Sequence, residues 1–369
     1  MPSSLRAITS MLTARGAAMV RHDRRAFLAT ADPAGAEGQA LQFDAVRQVP
    51  LSSWHYALAQ GPAPGASAWT TPVVLGVALT SYDTAMTHRT RVLSFVRRGP
   101  QWLVAQETGP PRDLWDLGPV TSLAGGPCLV LSDASSGELA RALLGECQRA
   151  VPKVTQVWGR GWGRRAVIVL PQSEAELTRL LPGVGDLSQI PAMATAEPGV
   201  VGTRDVGAGD RILINPKAFS LLSDVGRAVV VRHEVTHVAS RGATGPGVPT
   251  WFAEGLADYV GYLGSPLPLA VSAQELRLAV RAGRLPARLP STSDFESSSG
   301  RLAETYEQSW CAVTFIVRRF GLATMLALYR HAGTDTSPGA LDRAMRRDLG
   351  MSLVALTSAW RADLRRRLS

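Results

Sequence analysis

The chain has 369 residues, more than one hydrophobic core usually absorbs, so two domains are expected. With 46% hydrophobic and 19% charged residues, and no apolar run of about 18 residues, it reads as folded and soluble, neither disordered nor membrane-spanning. The net charge of +9 comes from scattered arginines, with lysine only at Lys153 and Lys217; no basic block interleaved with aromatics exists, which speaks against a nucleic-acid partner.

In chain order, Leu5, Ile8, Leu12 and Met19 recur at helical spacing over residues 4–20, and a second short helix is expected over 23–30. Residues 1–20 lack the continuous apolar stretch of a signal peptide, because Arg6, Thr9, Ser10, Thr13 and Arg15 interrupt it; nothing directs export unless the true start lies upstream. Pro33 and Gly35 break the helical pattern before a further helical piece at 41–46. Strand character then takes over at 52–59, 72–81, 87–97 and 101–107. Helices followed by neighbouring antiparallel strands predict a compact α+β domain over residues 1–108.

Gly109, Pro110 and Pro111 open an expected linker over 109–125, and a second domain is expected over 126–369. Its strands 128–132 and 166–171 flank a helix over 136–150, capped by Ser135 or Ser136, and a helix over 173–181 follows. Strand-like pieces at 199–204 and 211–215 read as a hairpin joined through Gly207 and Gly209. Cys128, Cys147 and Cys311 have no metal-ligand spacing and cannot all pair within one chain, so all three are expected as buried thiols.

The order of the first 108 residues resembles the nuclear-transport-factor-2-like cone fold, with Arg24, Ala26, Phe27 and Leu28 in an early helix and Arg97-Arg98-Gly99-Pro100-Gln101-Trp102 joining the last two strands. That resemblance implies a scaffold, a ligand pocket or an enzyme, and His22, Asp23, His55 and His88 are its only candidate polar catalysts.

The chemistry is concentrated further on. His233-Glu234-Val235-Thr236-His237 is an HExxH pattern within an apolar helical run. At about 100° per residue the two histidines stand about 40° apart, one turn from each other, within reach of one ion. Glu234 lies about 60° to the side, suited to a general base and not to a ligand. A catalytic zinc site asks for a third protein ligand, and Glu254 supplies it on a second helix that starts near Pro249, with Thr250 able to cap it. Asp258, one turn on, can accept the second ring N–H of a metal histidine and fix its tautomer.

HEVTH followed by WFAEGLADY resembles the gluzincins, most closely the bacterial peptidase-MA-like group, over roughly residues 120–369. The resemblance implies a zincin-type domain, a mixed sheet with the HExxH helix and a mostly helical C-terminal lobe, so the overall class is α+β. It implies one zinc ion on His233, His237 and Glu254, Glu234 as base, and Asp258 behind a ligand. Tyr306-Glu307-Gln308-Ser309, at the head of an apolar helix over 310–320, matches the Tyr-Glu-Lys-Gly segment of aminopeptidases of the same clan. Their tyrosine donates to the oxyanion, a role carried onto Tyr306, while Lys and Gly are replaced by Gln308 and Ser309. Their Gly-x-Met-Glu-Asn strand has no counterpart here, so exopeptidase specificity has no support and an endopeptidase is expected.

The predicted partner is therefore a peptide or protein substrate. Residues 211–215, with Ile212, Leu213, Ile214 and Asn215, are expected to offer it a free strand edge. The alternative is a catalytically inactive peptide- or protein-binding module built on the same cleft. His331 reads as a C-terminal helix cap, and helices over 338–348 and 352–367 are expected to close the lower lobe.

Overall fold

A computed structural model describes residues 3–188, 190–195, 209–296 and 300–369, in an α+β arrangement of two compact units. The first unit comprises Met1–Gln148 and Arg165–Leu221, the second Arg149–Arg164 and Leu222–Ser369. Among the described residues no helix is long and apolar enough to cross a membrane.

The first unit opens with helices α1 (Ser3–Val20), α2 (Arg24–Leu28) and α3 (Ala36–Val46). Asp23 caps α2 by accepting from the Ala26 amide. Strands β1 (Leu51–Ala57), β2 (Ala68–Leu79), β3 (Thr87–Arg98) and β4 (Gln101–Thr108) form an antiparallel sheet in that order. Alternation along β1 and β3 turns Trp54, Tyr56, Leu93 and Phe95 into a core shared with Ile8, Leu12 and Phe27 of the helices.

The same core runs on through a second sheet, so the first unit extends well past residue 108. Residues 109–125, expected as a linker, instead carry a short 3-10 turn (Leu114–Asp116) and strand β5 (Thr121–Gly125). Leu114, Trp115 and Val120 are buried there, Arg89 pairs with Asp113 at 2.8 Å, and Arg91 pairs with Asp116. A stretch that buries two apolar side chains on its turn and neutralises two arginines is packed structure. Beyond it lie β6 (Cys128–Ser132), α4 (Gly137–Trp158), β7 (Ala166–Leu170), α5 (Glu174–Leu180), β8 (Ala192–Thr195), β9 (Arg211–Ile214) and α6 (Pro216–Ser220). The sheet order is β5-β6-β7-β9-β8, with β6, β7 and β9 parallel to one another and β5 and β8 antiparallel at the edges.

Four expectations change here. Helix α4 continues through Pro152 instead of ending at 150, and Asp133, not Ser135 or Ser136, accepts from the backbone at the turn before it. Cys128 and Cys147 are joined as a disulfide that ties the start of β6 to α4, leaving Cys311 as the free, buried thiol. The partner of β9 is β8, whereas the expected strand at 199–204 and Gly207 lie outside the described residues.

The second unit is helical. It holds α7 (Asp224–Ser240), α8 (Thr250–Tyr262), α9 (Leu269–Ser272), α10 (Gln274–Arg281), α11 (Leu302–Phe320), α12 (Leu322–Ala332), α13 (Ala340–Leu349) and α14 (Leu353–Leu368). The sheet expected to share a domain with the HExxH helix thus belongs to the first unit. Helix α8 packs on both α7 and α11, and two glycines permit this. A Cβ at Gly255 would stand 2.4 Å from the Ser309 carbonyl oxygen, and one at Gly261 would stand 3.1 Å from that of Val229. Backbones this close put side chains of α7 and α8 within a few ångströms of one another.

Candidate metal centre

Helix α7 is capped by Ser223, whose hydroxyl accepts from the Gly226 amide, and it is buried nearly all round, with Val229, Val231, Val235 and Val238 among its buried side chains. Tertiary packing overrides the weak helix propensity of this valine-rich run. His233 and His237 therefore emerge one turn apart, facing α8. The expected cap of α8 differs: Pro249 holds the N-cap position without a side-chain bond, and Thr250 hydrogen-bonds the Thr292 hydroxyl at 3.0 Å.

His233, His237 and Glu254 converge. Nε2 of His233 is 3.0 Å from Nε2 of His237, and each nitrogen is 3.3 Å from Oε2 of Glu254. Three atoms bound tetrahedrally at about 2.0–2.1 Å from one zinc stand about 3.3 Å apart, so the donor set has the size that ion requires. Behind it, Asp258 Oδ1 lies 2.7 Å from His233 Nδ1. When that carboxylate accepts the Nδ1 proton, the Nε2 lone pair is turned toward the other two donors. Lone pairs pointed at one spot repel unless a cation or proton sits among them.

The electrostatics agree. Burial disfavours charge on His233, yet Asp258, then Glu254 and Glu234, hold its imidazole well above the ordinary value. Burial raises the Glu254 carboxyl, but His237 and His233 outweigh it and hold the group far below its usual range. Burial also raises Asp258, against the pull of His233. The pocket is thus built to favour a positive charge.

Glu234 is buried on the same helix, with Oε1 4.0 Å from His233 Nε2, beside the donor triangle and outside it. Tyr306 lies in the second turn of α11, which begins earlier than the expected helix over 310–320. Its ring centroid is 6.2 Å from that of His233, and Phe295 backs it edge-on at 5.3 Å. Burial, reinforced by Glu254, Asp258 and Glu234, pushes the Tyr306 phenol well above its ordinary value, so it is a hydrogen-bond donor here.

Sequence reasoning missed Arg232. Its buried guanidinium donates from Nη1 to the carbonyls of Gly261 at 2.9 Å and Leu263 at 2.8 Å, satisfying groups left open where α8 ends. The residue before His233 thereby fastens α7 to the far end of the helix that carries Glu254 and Asp258. The signal was present in a lone charge within the apolar run Val229-Val230-Val231-Arg232.

Ile212, Leu213, Ile214 and Asn215 belong to the first unit, where the expected free edge is occupied. β9 is paired by β7 on one side and β8 on the other, and all four side chains are buried. Asn215 accepts from the Lys217 and Ala218 amides and donates to the Leu187 carbonyl, which fixes it as the cap of α6. His331, in the last turn of α12, meets Asp348 at 2.8 Å.

No family model and no curated protein matches the chain. Among solved structures it is similar to a mutant M1 zinc metallopeptidase from Deinococcus radiodurans bound to a Tyr-Ser-Ala substrate, at 15% identity and a TM-score of 0.37, covering 80% of this chain and 61% of that one. A two-domain M1 zinc metallopeptidase mutant bound to L-arginine matches at 14% identity and a TM-score of 0.35, over 82% of this chain and 61% of that one. The chain therefore spans about three fifths of these structures' length.

Proposed function

We propose that the second unit is a zinc-dependent hydrolase of peptide bonds, an endopeptidase of the gluzincin type. The observation that carries this reading is the triangle of His233 Nε2, His237 Nε2 and Glu254 Oε2, with Asp258 behind one corner and Glu234 beside it. A zinc ion on these three side chains supplies Lewis acidity for a carbonyl and acidifies water. Glu234 takes the proton of the attacking water and returns it to the leaving amine. Tyr306 donates its phenol proton in a hydrogen bond to the oxyanion. Asp258 holds the His233 tautomer, and Arg232 holds the two ligand helices in register.

The absence of a Gly-x-Met-Glu-Asn segment supports an endopeptidase over an aminopeptidase. The Cys128–Cys147 bridge supports maturation in an oxidising compartment. The cone-like reading of residues 1–108 rests on their three helices and four-stranded antiparallel sheet.

Metal analysis of the purified chain and of its Glu234→Gln variant, each assayed on a peptide library, tests the proposal. One zinc per chain is expected in both proteins, with cleavage about 10²–10⁴-fold slower in the variant. Equal cleavage by both removes Glu234 from the mechanism, and failure of either protein to hold zinc removes the metal.

A further inference from the structure

The second unit holds the chain's whole positive excess. It has 22 Lys and Arg against 13 Asp and Glu, while the first unit has 17 of each. From the last turn of α8 onward, sixteen residues from Tyr259 to Gln274 carry no charge. Such a stretch is ordinarily core, yet here much of it faces solvent. Leu263 is 41% exposed, Leu267 38% and Val271 53%, and Pro266, Pro268 and Ala270 are exposed among them. Helix α10 packs against α9 and continues this surface. It buries Leu276 and Ala279 but leaves Leu278 53% exposed, beside Arg277 and one turn from Arg281, with Arg284 just beyond. Singly exposed residues such as Leu221 and Val354 call for no explanation, whereas a run of them edged by arginines does.

We infer that the segment Leu263–Arg284 is a docking surface for an anionic lipid bilayer, with Leu263, Leu267, Val271 and Leu278 entering the headgroup boundary and Arg277, Arg281 and Arg284 meeting the lipid charge. Charge complementarity selects this occupant. An apolar strip alone fits any greasy partner, but one edged by Arg277, Arg281 and Arg284, on the unit with the net positive charge, fits a surface that is both apolar and negative. Glu275, exposed on α10, is a local opposing charge and leaves the arginines in excess. The inference is independent of the metal chemistry and stands or falls without any hydrolysis.

Sedimentation of the full chain with vesicles of phosphatidylcholine, with and without phosphatidylglycerol, tests it. Binding is expected with phosphatidylglycerol and is expected to weaken as salt rises. Each arginine near the surface is worth about fivefold, so Arg277→Gln/Arg281→Gln/Arg284→Gln should weaken binding on the order of a hundredfold and remove most of the salt dependence. Leu267→Ser/Val271→Ser/Leu278→Ser should weaken it at least about tenfold while leaving the salt dependence in place. Zinc content and circular dichroism matching the parent establish that the variants fold; a misfolded triple is replaced by Val271→Ser alone, expected to weaken binding severalfold. Equal binding to neutral vesicles, binding unaffected by these variants, or no binding overturns the inference. So does a parent that is dimeric by gel filtration and becomes monomeric in the leucine and valine variant, which assigns the strip to a second copy of the chain.

Discussion

The first unit and the candidate site of the second treat buried carboxylates differently. In the first, Asp32, Asp83, Glu107, Asp113 and Asp116 each face a guanidinium, those of Arg98, Arg211, Arg15, Arg89 and Arg91 respectively. In the second, Asp363 likewise meets guanidiniums, those of Arg318, Arg366 and Arg367, but Glu254 and Asp258 at the candidate site face imidazoles, while Arg232, buried close by, donates to the carbonyls that end α8. A buried acid needs a compensating positive charge. Where the sequence provides a permanent cation the result is architecture, and where it provides only titratable donors the result is a candidate site for a cation from outside.

The largest effect that sharpens this contrast comes from breaking a permanent pair. Asp83→Asn leaves Arg211 without its carboxylate partner, which now accepts two bonds at 2.7 Å. A loss of about 3–5 kcal/mol in urea unfolding is expected, with zinc per folded chain unchanged. A loss below about 1 kcal/mol would make the first unit's pairs as dispensable as surface ones. Next comes Cys147→Ser, which opens the bridge across a sequence separation of 19 and should cost about 3 kcal/mol. Thiol titration of the unfolded parent should give one group before reduction and three after it; three before reduction would show that no bridge forms.

In the second unit the corresponding change is Asp258→Ala. It leaves all three donors in place and removes the acceptor behind His233, so zinc affinity should fall about 10–100-fold in a chelator competition. Unchanged affinity would mean that Asp258 compensates a buried proton and not a metal site.

The site was more legible in the sequence than the fold around it. His233, His237, Glu254 and Asp258 could be read because helical periodicity is local, and i, i+4 spacing fixes which side chains share a face. The first four strands were legible for the same reason, through alternation. What failed depended on partners distant in the chain. Arg211–Ile214 looks like an edge until β7 and β8 take both sides, and Cys128 meets Cys147 only once α4 packs on the sheet. Residues 109–125 read as a linker because Gly109, Pro110 and Pro111 punctuate locally, while Arg89 and Arg91, which hold that stretch, lie on a strand that precedes it. Arg232 was hidden by its own type, since a charge in an apolar run reads as solvated unless the carbonyls it will cap are known.

Glu307 gives the smallest effect and a third answer to the same problem. It follows Tyr306 on α11, and its carboxylate accepts from the Leu276 amide at 2.6 Å and the Glu275 amide at 3.3 Å, at the start of α10. Burial pushes its pKa up from 4.5 to about 7, with Glu275 and Glu304 adding to the rise and the two amides opposing it. The folded chain therefore keeps a proton that the unfolded chain releases between these values. The resulting stabilisation is complete below about 4.5 and is lost as pH rises through about 7. The melting temperature of the parent, relative to Glu307→Gln, should accordingly fall across this window. The difference should be only a few °C, roughly, because the carboxylate is partly open to solvent. Parallel curves would show that the Glu307 proton is not linked to folding; the expected divergence would set protonation beside guanidinium pairing as a way this chain keeps acids buried.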